Sequence, residues 1–326
     1  MKEIFNPNLY HGANKNNNFF EGWYFKIVDR FNLHKLAIIP GVSYGNNKED
    51  SHSFIQIING YDTTYNYLKY DVEDFKFNNS NKKFRVCVNS NIFTLDHLNL
   101  NIIEKDLNIK GYLVFKNIVK WPSNIFSPGS MGWYNYIKFM ECYSQVCILN
   151  GSLVGSLDLN NKTLDFTGGK IYIEKNWGKS FPKSWLWIQS NSFRNRSISL
   201  TCSLGEVPFC KRKFQGHIIG LTIDNKFISF TTMNRSKVNI NRLGNDITLT
   251  AQKRNLKLTL KTYTNDNEFI LCNGPQNGTM SPMVKETLSG SLYLLLEDTK
   301  KHIILYEDIG KSTGIEYGGN LINKLK

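Results

Sequence analysis

Glu21, Glu141 and Glu174 sit among aromatic residues at the spacing of a β-strand, a setting in which a carboxyl group can hand a proton to a ligand. Successive side chains of a strand point to opposite faces. In the run 168–178, Tyr172, Glu174 and Asn176 therefore share one face. In 20–28, Glu21 shares a face with Trp23, Phe25 and Ile27, and Phe139, Glu141 and Tyr143 form a third set. Trp177 closes the run 168–178, and in 184–191 Trp185, Trp187, Gln189 and Asn191 line one side while Leu186 and Ile188 line the other. Burial on an apolar face disfavours a charged carboxylate, so such an acid tends to keep its proton. A protonated acid near neutral pH is a general acid. Aromatic faces steady a developing cation by about 2 kcal/mol when water is excluded. Amides such as Asn176, Gln189 and Asn191 can orient hydroxyl groups. Together these residue types describe an aromatic-walled pocket with a few polar groups.

Each residue has a plainer role open to it. Glu21 or Glu174 can form an ion pair with Lys or Arg across a strand interface. The tryptophans can be core, where aromatic residues dominate as they do in pockets. Gly168, Gly169 and Gly178 read as backbone geometry, and Asp165, Asp308 and Glu316 as turn or rim residues. The six histidines have no H-x-H or H-E-x-x-H spacing, and no metal site is expected. His52, ahead of Phe54-Ile55-Gln56-Ile57, is either a proton relay or a histidine at a strand start. The six cysteines, Cys87, Cys142, Cys147, Cys202, Cys210 and Cys272, form no C-x-x-C pair and read as reduced thiols. The sequence has no G-x-S-x-G elbow, P-loop or G-x-G-x-x-G, which weighs against the corresponding hydrolases, NTPases and dehydrogenases.

The elements that must hold these residues are strands. Leu256-Lys257-Leu258-Thr259-Leu260-Lys261 alternates apolar and polar, the signature of a half-buried strand. Residues 221–228 read as a hairpin whose Asp224-Asn225 pair suits a tight turn, and residues 157–166 read the same way. Further strands are expected near 34–39, 53–58, 84–88, 107–115, 143–149, 197–203, 246–251, 287–296 and 302–306, with short helical turns near 121–135 and 176–183. Many short strands with frequent turn signals predict an all-β fold of barrels or sandwiches.

The 326 residues suffice for two domains or one large β domain. Hydrophobic residues make up 41% and charged residues 21%, as in a globular protein. No apolar run reaches the roughly 18 residues of a membrane span, and Met1–Pro7 lacks an apolar signal core. A cytoplasmic location is expected. The formal net charge is +13, but the longest basic cluster is only Lys211-Arg212-Lys213, so nucleic acid is not expected as a partner. Dispersed charge for solubility and peripheral contact with the anionic inner face of a membrane remain the two readings. The sequence does not specify an oligomeric state.

Several segments resemble one family. Phe20-Glu21-Gly22-Trp23-Tyr24-Phe25-Lys26 is similar to the opening of the tocopherol cyclase family. Ser127-Pro128-Gly129-Ser130-Met131-Gly132-Trp133-Tyr134, with Phe139-Met140-Glu141-Cys142 after it, resembles the family's middle elements. Residues 168–178 with Phe181-Pro182 and 185–191 resemble its signature run, and Gly314–Gly319 its closing run. The pieces come in the family's order. The resemblance implies two lipocalin-like β units packed together, 1–160 and 161–326. It also implies acid-catalysed closure of a prenylated quinol to a chroman. Glu174 or Glu21 would be the proton donor, and Trp23, Glu141, Tyr172, Asn176, Trp177, Trp185, Trp187, Gln189 and Asn191 would bind an apolar, isoprenoid-like small molecule. No cofactor is implied. A lipocalin-like carrier of a hydrophobic ligand and a hydratase of an isoprenoid double bond are the alternatives.

Overall fold

Alternating apolar and polar residues, broken by turns rich in Asn and Gly, become antiparallel strands along nearly the whole chain. The computed structural model describes residues 2–78, 83–195, 197–209, 212–224 and 226–319. Cys210, Lys211 and Asn225, each singled out in the sequence, lie outside the described residues. The chain forms two compact units: Met1–Phe181 with Asn273–Pro282, and Pro182–Cys272 with Met283–Lys326. Residue 160, where the sequence suggested a division, lies inside the first unit.

The first unit follows a short helix, α1 (Lys2–Phe5), with β1 (Phe19–Val28), β2 (Lys35–Tyr44), β3 (His52–Asn59), β4 (Thr64–Tyr70), β5 (Phe75–Asn78), β6 (Arg85–Val88), β7 (Asn91–Thr94), β8 (His97–Glu104), β9 (Leu107–Val119), β10 (Cys142–Ile148), β11 (Asn150–Leu159), β12 (Lys162–Asp165) and β13 (Lys170–Gly178). Their order in the sheet is β4-β3-β2-β1-β13-β11-β9-β8-β7-β6-β5, with β10 also on β13 and β12 on β11. The sheet curls on itself. Phe25 of β1 reaches Phe93 of β7 at 5.5 Å between ring centroids, and Trp23 reaches Phe84, just ahead of β6, at 5.0 Å, although β1 is far from β6 and β7 in the sheet order. The enclosed face carries the apolar core, from Trp23, Phe25 and Ile27 round to Phe115, Ile171, Ile173 and Trp177.

The β11–β12 hairpin turns at Asn160 (φ 48°) and Asn161 (φ 67°), left-handed angles that asparagine tolerates. Of the helical turns expected in the irregular stretches, a 3-10 turn forms at Gly132–Tyr136, whereas residues 176–178 continue β13.

The second unit holds β14 (Ser184–Ser190), β15 (Ser199–Phe209), β16 (Arg212–Ile223), β17 (Lys226–Thr231), β18 (Lys237–Leu243), β19 (Asp246–Lys253) and β20 (Leu256–Tyr263). It also takes the larger part of β22 (Thr279–Asp298) and all of β23 (Ile303–Gly319); the hairpin of β21 (Ile270–Gln276) with β22 carries its tip into the first unit. The sheet order is β17-β16-β15-β14-β23-β22-β20-β19-β18. It too curls, since Lys253 of β19 donates to the Ser229 carbonyl of β17 at 2.6 Å and lies 5.5 Å from the Phe230 ring. Its core is aliphatic: Leu186, Ile188, Leu200, Leu204, Ile219 and Leu221 meet Leu249, Leu258, Leu260, Leu292 and Leu294. The fold class is all-β, with two lipocalin-like antiparallel sheets. No helix among the described residues is long and apolar enough to cross a membrane.

Burial within this unit also makes stability depend on pH. His217 is buried, its Nε2 2.8 Å from the Ser236 hydroxyl, and desolvation pushes its pKa down from 6.5 to about 4. Between those two values the unfolded chain binds a proton that the folded chain does not. Unfolding free energy therefore rises with pH across this window and is lost as pH falls through it. Urea titrations at a series of pH values should show a shallower acid limb for His217→Gln than for the wild type. Parallel limbs would assign the acid loss to other groups.

Candidate active site

The two acids favoured by the sequence fall on opposite faces of one sheet. β1 and β13 are antiparallel neighbours, with Glu21 opposite Trp177 and Tyr24 opposite Glu174. Strand alternation then sends Glu21, Trp23, Lys175 and Trp177 to the enclosed face, and Tyr24, Tyr172, Glu174 and Asn176 to the other.

On the enclosed face Glu21 is fully buried and ion-paired. Lys175 Nζ lies 2.6 Å from Glu21 Oε1, with both side chains at 0% exposure. The backbone N–H of His11 donates to both carboxylate oxygens, at 2.8 and 3.1 Å. The ammonium also donates to the Pro7 carbonyl at 3.0 Å and to the Leu9 carbonyl, and lies 2.8 Å from His11 Nδ1. Trp177 and Trp23 present their rings to it at 4.5 and 5.2 Å, and His11 stacks on Trp177 at 4.2 Å. Burial holds Lys175 below the usual lysine range, against the pull of Glu21. Burial, followed by the nearby ammonium, lowers His11 in the same way. An acid held by a buried cation and the shared His11 N–H is a structural anchor for the N-terminal segment.

Glu174 has different company. It is 5% exposed. Tyr172 donates its hydroxyl to Oε2 at 2.5 Å, and Ser144 of β10 donates to Oε1 at 3.0 Å. Asn176 is half-buried. The glycine closing this strand is obligatory: Gly178 has φ +143°, and a Cβ there would lie 2.2 Å from the Glu141 carbonyl. Phe139 and Glu141, expected on a strand face with Tyr143, instead precede β10 and are exposed. Tyr143 is on β10 and stacks on Trp177 at 5.3 Å.

In the second unit, Leu186 and Ile188 of β14 enter the core, and Trp185, Trp187 and Gln189 take the opposite face, 6%, 6% and 0% exposed. Asn191, just past the strand, is 1% exposed. The partners of the two tryptophans are small or acidic: Gly205 and Gly318 flank Trp185, and Ser203 and Glu316 flank Trp187. Trp185 Nε1 donates to Glu316 Oε1 at 2.5 Å. Glu286, buried on β22, is the cross-strand partner of Glu316. The indole of Trp185 lies over Gly318, where a Cβ would sit 2.0 Å from Cη2. Gly318→Ala is therefore expected to push the indole off Glu316 and to cost about 1–3 kcal/mol by overpacking. A shift in tryptophan emission with a lowered urea midpoint checks this; an unchanged spectrum would mean that the indole does not rest there.

The sequence did not single out Lys175, His11 or Ser144. Lys175 follows Glu174 and so points to the opposite face, and its partner Glu21 is remote in sequence. Gly168 (φ +77°) and Gly169, whose Cβ would meet the Val28 carbonyl at 2.2 Å, serve backbone geometry. His52 donates from Nδ1 to the Asp50 carbonyl at 2.9 Å, and its Nε2 accepts from Tyr67 Oη at 2.6 Å. The described cysteines are unbridged, and burial pushes Cys147 up to about 12, leaving it an unreactive thiol. Among the described residues no group of three or more His, Cys, Asp or Glu side chains could hold a metal ion.

The fold has solved counterparts. The crystal structure of CghA superposes with a TM-score of 0.57 at 9% identity, covering 92% of this chain and 88% of that one. An AttH-type protein from Nitrosomonas europaea gives 0.55 at 12% identity, covering 96% and 95%. In sequence, the chain is 24% identical over 202 residues to a probable chloroplastic tocopherol cyclase of Oryza sativa subsp. japonica, covering 58% of this chain and 42% of the rice protein. It is 31% identical over 103 residues to the chloroplastic tocopherol cyclase of Zea mays, covering 30% of this chain and 22% of the maize protein. The chain thus spans less than half the length of these curated relatives. The sequence model described as tocopherol cyclase-like matches residues 108–319, well over half of the chain and inclusive of Glu174, Trp185 and Trp187. The chain belongs to the tocopherol cyclase-like family.

Proposed function

We propose that this chain closes a prenylated quinol to a chroman, with Glu174 as the proton donor. The observation that carries this reading is the buried Glu174 carboxyl, oriented by the Tyr172 and Ser144 hydroxyls on a face separate from the apolar core. Glu21, the other acid considered, is engaged by Lys175 and His11.

In the proposed step Glu174 delivers its proton to the less substituted carbon of the prenyl double bond. The alkene electron pair forms the new C–H bond and leaves a tertiary cation. The phenol oxygen attacks that carbon to form the ring C–O bond, and the phenolic proton returns to the Glu174 carboxylate. The product is an isomer of the substrate, and no redox partner is consumed. Tyr172 keeps the carboxyl in one orientation through the cycle. Water must be kept from the cation, because capture by water gives a tertiary alcohol. In the second unit, the Trp185 and Trp187 face with Gln189 and Asn191 is proposed in its own right as a surface for an apolar, isoprenoid-like ligand.

The test is incubation of the purified chain with a panel of prenylated quinols, followed by mass spectrometry. A chroman of unchanged mass supports the cyclase. A product heavier by one water identifies a hydratase, and retention without conversion identifies a carrier; either overturns the proposal.

A further inference from the structure

On the Glu174 face of the first sheet, solvent reaches the backbone at a particular cross-strand pair. Along β1 every residue but Gly22 is buried, and along β13 every residue but Asn176. These two residues are register partners. Ser144, half-buried on β10, is the next in the same row. On the other side the row continues through Gly41 of β2 to Phe54 of β3.

The two glycines are not equivalent. A Cβ on Gly41 would lie 2.4 Å from Phe54 Cζ, so the phenyl ring already covers that position. Tyr67 stacks behind the ring at 5.5 Å. A Cβ on Gly22 would meet nothing closer than the Pro40 carbonyl at 3.6 Å. A side chain at Gly22 would thus fit in ordinary contact, its Cβ 3.8 Å from both Ile39 Cγ2 and Phe54 Cζ, with Asn176 on the other side. The Asn176 carboxamide has no hydrogen-bond partner among the described residues, although it could make several. Glu174 lies two residues along β13 on the same face, about 7 Å away at the rise of a strand.

We infer that the Gly22 surface is the subsite for the hydroxylated ring of the substrate. The flat ring lies on the Gly22 backbone, and a ring hydroxyl bonds to the Asn176 carboxamide. The prenyl double bond, a few bonds from the ring, then lies in the next row, level with Glu174. The missing side chain at Gly22 sets how bulky a ring is accepted. The inference rests on the proposed cyclase reading for its substrate class, and its test separates the two.

Gly22→Val keeps the strand, since its Cβ would meet no atom closer than 3.6 Å and valine suits a strand. Circular dichroism and urea unfolding check this. Prenyl quinols with no ring methyl and with three ring methyls are then compared on the wild type and on Gly22→Val. Dissociation constants come from tryptophan quenching, and kcat/KM from product formation. Discrimination against the trimethyl ring should increase about tenfold or more in the variant, the size of effect one or two misplaced methyl groups produce. Asn176→Ala should raise KM for both rings and leave the ratio between them unchanged. If Gly22→Val leaves the methyl preference at the wild-type value in both binding and turnover, the subsite is wrong, even if the wild type is a cyclase. If the wild type binds but does not turn over, and the binding preference shifts in Gly22→Val, the subsite stands and the cyclase reading fails.

Discussion

Glu174→Gln is expected to reduce turnover of a prenylated quinol by about 10³-fold, the middle of the range a positioned general acid supplies. The fold should survive the change. Glutamine is isosteric, and its carbonyl can accept from one of the two hydroxyls that now donate to Glu174. Its Nε2 donates to the other, because Tyr172 and Ser144 hydroxyls both accept as well as donate. What disappears is the transferable proton. Ligand retention should persist while the chroman vanishes, so kcat falls and the quenching signal does not. Tyr172→Phe should cost less, because it loosens the carboxyl without removing the acid. Single-turnover product formation on the two variants checks the order. Wild-type turnover in Glu174→Gln would place the proton donor elsewhere in the chain.

Lys175→Met is expected to be the most damaging substitution for stability, at about 3–5 kcal/mol, the usual cost of breaking a buried ion pair from one side. The Glu21 carboxylate would stay at 0% exposure with the single His11 backbone N–H to compensate it. The carbonyls of Pro7 and Leu9 would lose their donor at the same time. The damage should therefore start at the N-terminal segment. Limited proteolysis should cut near residues 7–12 in the variant well before the wild type, and urea should unfold the first unit earlier. Adding Glu21→Gln should return part of the loss, because the stranded charge is gone. A Lys175→Met protein as stable and as protease-resistant as the wild type would mean that the ammonium does not hold this segment.

Strand identity was legible in the sequence because it is a local property. Period-two alternation in 256–261 became β20, and the hairpin read over 157–166 formed as β11 with β12. The assignment of residues to shared faces was also legible within a strand: Glu21, Trp23, Phe25 and Ile27 did fall together, as did Tyr172, Glu174 and Asn176. What could not be read was which of these faces turns inward. That depends on pairing β1 with β13 across roughly 150 residues of chain, and a shift of one residue would exchange the surroundings of Glu21 and Glu174. The Glu21–Lys175 pair was hidden for the same reason. Phe139 and Glu141 misled because an aromatic–acid–aromatic pattern mimics a strand face, whereas the strand begins only at Cys142.

The hairpin tip Asn273–Pro282 gives the chain an order of assembly. Although it arrives late in the sequence, it belongs to the first unit. Gly278 is pressed against the Tyr44 carbonyl and the backbone of Asn18 and Phe19, with no room for a Cβ. Ser43 donates its hydroxyl to the Gly278 carbonyl. Gly278 N–H donates to Lys179 at 2.9 Å, and Phe181 N–H to Pro275 at 3.0 Å. During synthesis the first half of the chain emerges and curls, but its last contacts wait until some ninety further residues have left the ribosome, tens of seconds or less at ordinary elongation rates. Throughout that interval the ends of β1 and β2 lack a partner that only the finished chain provides. The unit made first is thus completed last, and an amino-terminal fragment ending at Phe181 would lack all of these contacts.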